Sequence, residues 1–233
     1  NTNVLASGKN NIALYGKNGS TITNNADINM GTEYGNIGIY TEDASTLAKN
    51  YGKITVGSSN MMTSEYSIGM AASNGSTIEN HNDIYVTGSN SIGMYGDGIG
   101  TKVYNHGKIY LDATGASSTN PKNQMVGIYL DNGAYGENWG DIKTLSNYAS
   151  NTYVSTLVGV SVQRGSIFEN HGNIDIKSDN GVGIYVNNGI IKNYGSITVT
   201  GDNSTGVKYK NGEVAPGVPL TPSNVGGTVT STG

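Results

Sequence analysis

Three short phrases recur along this chain in a fixed order: V/I-G-I/M/V-Y, then N-(His, Tyr or Trp)-G, then I-x-V. They read SIGMY then YNHGKIYL, VGIYL then ENWGDIKT, and GVGIYV then KNYGSITV. Self-similarity on this scale restricts the chain to repeat architectures, in which each unit buries its apolar face only against its neighbours. The Gly of the first phrase falls at Gly38, Gly69, Gly93, Gly127, Gly159, Gly183 and Gly206, with Ala13 in its place in the first copy. The Asn of the second falls at Asn24, Asn50, Asn80, Asn105, Asn138, Asn170 and Asn193. These two positions lie 10 to 12 residues apart in every copy, whereas repeat length runs from 23 (Gly183 to Gly206) to 34 (Gly93 to Gly127). A fixed core with variable spacing elsewhere predicts rungs stacked in register, with insertions at one corner.

Each repeat reads as three short strands. The first carries inward apolar residues two apart, such as Ile92 and Met94 or Val182 and Ile184. The second ends at the Asn, with Ile22, Leu47, Ile78, Val103, Phe168 and Ile191 as its inward residues. The third alternates again, as Ile54/Val56, Ile84/Val86, Ile109/Leu111, Ile174/Ile176 and Ile197/Val199. Abundant Val, Ile and Thr with 16 Tyr, and only 13% charged residues, favour strands over helices. The expectation is an all-β parallel β-helix of about seven to eight rungs over residues 1–210. Residues 211–233 hold three of the four prolines and read as a Pro/Gly/Thr-rich linker or a truncated rung. The chain opens mid-rung and shows no capping segment, which leads us to expect a piece of a longer protein.

An antiparallel sandwich or a propeller would also repeat short strands. The residue before the third strand runs Asp27, Lys53, Asp83, Lys108, Asp141, and lapses at Asn173 and Ser196. Strict acid–base alternation makes sense where equivalent positions lie directly above one another, because opposed unlike charges are favourable across a sheet.

The same alignment reassigns residues that look chemical. Three histidines suggest a metal site. His81, His106 and His171 each follow the motif Asn, however, where other rungs carry Tyr51, Trp139 and Tyr194. They read as one column of rings, and no metal or cofactor is expected. The Asn itself reads as a stacked amide ladder at a turn. The Gly two residues later reads as a positive φ or a tight corner, with Asn82 as its most tolerable replacement.

Tyr15, Tyr40, Tyr95, Tyr129 and Tyr185 follow the first strand and form an outward stripe, broken at Ala71 and Ser161. They read either as a protective ladder or as an aromatic platform for sugar or protein. The link from third strand to next rung is five residues in TGSNS (87–91), and lengthens at 57–67, 112–125 and 145–157. Insertions on one face of a solenoid are where binding surfaces are built, or else neutral drift. Candidate ligand contacts are therefore Met61, Met62, Tyr66, Tyr95, Tyr129, Tyr148, Tyr153 and Tyr185.

A net charge of −4, with Arg164 the only arginine, excludes a nucleic-acid partner. No Cys is present, and no apolar run approaches the ~18 residues of a membrane helix. Catalysis is not expected. The acidic column Glu42, Asp97, Asp131 has no basic residue predicted beside it, and the sequence lacks the P-loop, G-x-S-x-G, H-E-x-x-H and calcium nonapeptide motifs. A β-helical polysaccharide lyase or hydrolase is the alternative, and a pure spacer rod the third reading.

The phrases SIGMYGDG, NGSTIENHNDIYV and GVGIYVNNGIIKNYGSITV, spread over about residues 8–210, resemble the passenger regions of type V autotransporter adhesins. They look most like the very large fusobacterial outer-membrane adhesins. The resemblance implies a right-handed β-helix displayed outside the cell and anchored through a C-terminal membrane barrel that lies beyond this chain. It also implies host-cell or bacterial surface proteins or glycans as partners. This segment itself is expected to be monomeric.

Overall fold

The structure is a computed structural model and describes residues 3–210 and 228–232. Among the described residues every regular element is a strand, and all pairings between strands are parallel. The chain winds through three sheets in turn. One rung, for example, runs Ile92–Asp97 in the first sheet, Lys102–Asn105 in the second and Lys108–Leu111 in the third. Each sheet stacks these strands in chain order, which is the topology of a parallel β-helix.

Register is held residue for residue. Ile39, Met70, Met94, Ile128, Val160 and Ile184 align down the first sheet. Ile54, Ile84, Ile109, Ile142, Ile174 and Ile197 align down the third. These columns are 0–1% exposed and fill one continuous core. In the second sheet the inward column is Ile22, Ala48, Ile78, Val103, Gly136, Phe168 and Ile191. Ala48 therefore corrects the expectation for Leu47, which pairs with Thr21 and Thr77 one position out of phase. Apolar size misled there, because the small residue lies inside and the large one outside.

The first strand departs from simple alternation. At Gly93 an added Cβ would stand 2.6 Å from the Gly127 carbonyl and 2.8 Å from Ile109 Cγ2, so this position faces the core. Met94 also faces the core. With two consecutive inward residues the phase shifts, and Ile92 joins Tyr95 on the outer face. The expectation that Ile92 points inward is thus overturned by the glycine next to it.

The second glycine column works by close approach. Gly52, Gly107, Gly140, Gly172 and Gly195 have no positive φ. A Cβ on any of them would overlap the carbonyl of the residue one rung away, as Gly140 would overlap Gly107 O. Only a residue without a side chain lets the backbones meet so closely.

Beside that glycine runs a ladder of buried amides. Asn24 Nδ2 donates to Asn50 Oδ1 (2.7 Å), Asn50 to Asn80 (2.9 Å), Asn80 to Asn105 (2.9 Å) and Asn105 to Asn138 (2.8 Å). Asn138 donates to Asn170 (2.9 Å) and Asn170 to Asn193 (2.7 Å). Each Nδ2 also donates to the carbonyl two residues on, as Asn105 does to Gly107 O at 3.1 Å. Both N–H donors of each amide from Asn24 to Asn170 are thus satisfied, which burial of a polar group requires.

Next to the ladder stand the rings. Tyr51, His81 and His106 stack at centroid distances of 4.7 and 5.0 Å, and Trp139, His171 and Tyr194 at 3.9 and 4.9 Å. Burial, and next the neighbouring His81, lowers the pKa of His106 below its ordinary 6.5.

The alternating column is in register but is not ion-paired: no side-chain pair within 4 Å joins Asp27, Lys53, Asp83 and Lys108 among the described residues. Asp27 Oδ1 instead accepts the backbone N–H of Lys53 (2.9 Å), and Asn173 Nδ2 donates to Asp141 Oδ1 (3.1 Å). Ion pairs between rungs form in the second sheet, at Lys49–Glu79 (3.0 Å) and Lys192–Glu169 (2.9 Å).

The insertions stack too. Lys122–Asn123 pairs with Val154–Ser155, and backbone bonds Ser59→Ser89 (2.9 Å), Asn90→Asn123 (3.0 Å), Thr156→Asp179 (3.1 Å) and Asn180→Asp202 (2.8 Å) run along this corner. Met125, Val154 and Leu157 are buried in the core. The insertions therefore widen the rungs. Thr228–Thr232 pairs with Ser196–Thr200 in the third sheet. The rest of the expected linker or truncated rung, 211–227 and residue 233, lies outside the described residues.

Two outcomes follow. Asn105→Ala leaves the amides of Asn80 and Asn138 each short of a partner and should cost about 2–4 kcal/mol, read from the denaturant midpoint. Because His106 binds its proton less readily folded than unfolded, its contribution is present above the unfolded value near 6.5 and is lost as pH falls through the lower folded pKa. Melting temperature should accordingly drop on acidification below that value, and His106→Tyr should flatten the drop.

Candidate functional site

The phase shift at the first-strand glycine gives the outer face of the first sheet two parallel rows. One is Ile37, Ile68, Ile92 and Val126; the other is Tyr40, Ala71, Tyr95 and Tyr129. Together they form an apolar cluster separate from the main core. Ala71 is 2% exposed because Tyr40 and Tyr95 pack against it, so the break in the tyrosine stripe is covered and not open. Tyr95 and Tyr129 lie 5.7 Å apart with their rings tilted by 45°.

This face becomes a groove of about 480 Å³ where the first insertion rises beside it. Ile68, Ile92 and Val126 line its floor, with Tyr95 and Tyr129 on one side. Met61 and Tyr66 come from the insertion, both partly exposed, and Asn90 and Gln124 from the stacked corner. Asp131 and Arg164 complete the lining.

The polar end is built across two rungs. Arg164 stands five residues after Gly159, as Asn132 stands five after Gly127, and the register lays one over the other. Its Nε donates to Asn132 Oδ1 (2.9 Å) and its Nη2 pairs with Asp131 Oδ2. Asn132 Nδ2 donates in turn to Asp97 Oδ1 (2.7 Å). This corrects the expectation that no basic residue stands beside Asp97 and Asp131. Counting from the rung glycines would have found it, since the partner is 33 residues away in sequence but adjacent in space.

Burial raises the Asp131 carboxyl above its ordinary value, outweighing the opposing pull of the Arg164 guanidinium. Burial, then the nearby Asp97, pushes the Tyr95 hydroxyl far above the usual phenol range, and burial raises Tyr129 as well. Both rings therefore stay neutral and present hydroxyls able to donate or accept.

Of the eight contacts expected from sequence, the groove brings together Met61, Tyr66, Tyr95 and Tyr129. Met62 is 97% exposed and lies outside it, as do Tyr153 and Tyr185. Tyr148 is 6% exposed, with its hydroxyl 3.4 Å from Thr114 Oγ1, and serves the packing of the widened corner. Ile68, Ile92, Val126, Asn90, Gln124, Asp131 and Arg164 were not anticipated. A second groove, of about 400 Å³ on the third sheet, is polar, and its charges pair within rungs at Lys143–Asp141 (3.5 Å) and Lys177–Asp175 (3.0 Å). The stacked histidines present ring faces to each other, and no group of three metal-ligating side chains occurs among the described residues.

No curated protein and no solved structure matches the chain. A family profile described as the BigA third pectate lyase-like domain does match, over residues 1–141, which takes in the insertion, the groove floor and Asp131 but not Arg164. With that match over more than half of its length and with its strands wound as a parallel β-helix, the chain belongs to the BigA third pectate lyase-like domain family.

Proposed function

We propose that the chain is a segment of a bacterial surface adhesin, displayed outside the cell, which contacts a host-cell or bacterial surface partner through the first-sheet groove. One observation carries this: an outer apolar cluster, apart from the core, is framed by exposed Met61 and Tyr66 and closed by a charged pair. Ile68 and Ile92 at the groove floor are 7% and 8% exposed, so the apolar surface on offer is that of Met61, Tyr66 and Val126. Apolar surface rimmed by polar groups is a mark of interaction sites. Tyr, Met and Arg are the residues enriched in such contacts, and Lys and Glu are depleted. The family match supports the surface-protein part of the reading; anchoring through a membrane barrel elsewhere in the parent protein rests on the likeness of the repeated phrases alone.

Binding is favoured over catalysis by the state of the carboxylates. Asp131 is 5% exposed and engaged by Arg164, and Asp97 accepts from Asn132. Both are thus engaged within one cluster, which disfavours this pair for acid–base work on a glycan. Beads coated with this chain should attach to target cells, and Met61→Ser with Tyr66→Ser should reduce attachment about tenfold with an unchanged far-UV spectrum. Met62→Ser, outside the groove, should leave it intact. Equal attachment by all three proteins would sink the reading.

A further inference from the structure

The groove ends on a charged group that its apolar lining does not require. The turn between first and second strands places a non-glycine residue at positive φ in several rungs, and that residue is Asn18, Asp43, Asn74, Asn132 or Asn188, each a short side chain that tolerates this region. At the same turn the chain spends its single arginine, Arg164, at φ 40. Asn tolerates that region and Arg does not, so the turn alone does not account for the choice. Arg164 is also held from below: Nε and Nη2 are engaged by Asn132 and Asp131, whose carboxylate is 5% exposed, while the arginine side chain is 61% exposed. A buried carboxylate thus holds a guanidinium that lines the groove and stays largely exposed.

We propose that the occupant is an extended segment of a partner protein, with an apolar side chain seated on Ile92 and Val126 and a carboxylate bound by Arg164. The proposal rests on the groove being the adhesive site. From Val126 to Asp131 the floor spans about 16 Å, the reach of roughly five extended residues. An aliphatic floor suits a Leu- or Val-like side chain. A sugar would want open, flat ring faces, and the Tyr95 and Tyr129 rings are tilted against each other and half-buried. Arg offers a planar fork matched to a carboxylate.

The test titrates the intact chain against labelled, capped five-residue peptides with a central leucine and aspartate, asparagine or lysine at one end. Neutral and uronic-acid oligosaccharides serve as competing probes. The aspartate peptide should bind at least about tenfold more tightly than the lysine peptide. Arg164→Gln should abolish that preference and Arg164→Lys should keep only part of it. Binding without charge preference, or binding of the oligosaccharides instead, overturns the proposal. If Arg164→Gln lowers cell attachment while no peptide prefers aspartate, the peptide class is wrong and the groove reading stands. If neither Arg164→Gln nor the Met61/Tyr66 substitutions alter attachment, the groove reading falls and this proposal with it.

Discussion

The contact on which the rest depends is backbone against backbone between rungs. Strands of two to six residues have no partner within their own turn, so each N–H and C=O is satisfied only by the rung above or below. Two glycine columns set how closely those backbones come. The first-strand glycines face the third-sheet isoleucines and close the corner between those sheets. The second column lets the turn after each Asn approach the turn beneath it, and this brings the asparagine amides within bonding distance. Rings, ladders and insertions stack because this spacing is already fixed.

The solenoid was legible because register is a property of the repeat and survives without coordinates. The motif Asn and Gly recur at a nearly constant separation, and parallel stacking then follows for everything between them. What could not be read was which side of the first strand each residue takes. Ile92 and Met94, two apart, sit on opposite faces because Gly93 also turns inward, and a period-two pattern carries no sign of such a shift. The alternating charges pointed to the right stacking, but where ion pairs were expected Asp27 takes the Lys53 backbone amide and Asp141 the Asn173 side chain. Most of the groove was invisible for the same reason: its floor was assigned to the core, and Arg164 meets Asp131 only through the winding of the chain.

Stacking also sorts the aromatic residues. In the column of Tyr51, His81 and His106 the ring faces are taken up by one another, so that column offers edges to solvent. The tyrosine row is different, because Ala71 and Ser161 interrupt it and Tyr95 and Tyr129 lean over the floor. The groove lies where the repeat is broken: beside an insertion, and at an arginine in a turn that other rungs give to asparagine, aspartate or glycine.

The asparagine ladder is head-to-tail: every Nδ2 points to the Oδ1 of the following rung, from Asn24 to Asn193. Its amide dipoles therefore add along the axis, and each bond polarises the next. The rod has a sense. A turn can join only facing the same way as its neighbours, yet any complete turn presents the same donor at one end and the same acceptor at the other. Whole turns can thus be duplicated or removed without leaving an unmatched amide inside, which makes the length of such a rod adjustable in steps of one rung, and the groove stays intact where the change falls outside the rungs that line it.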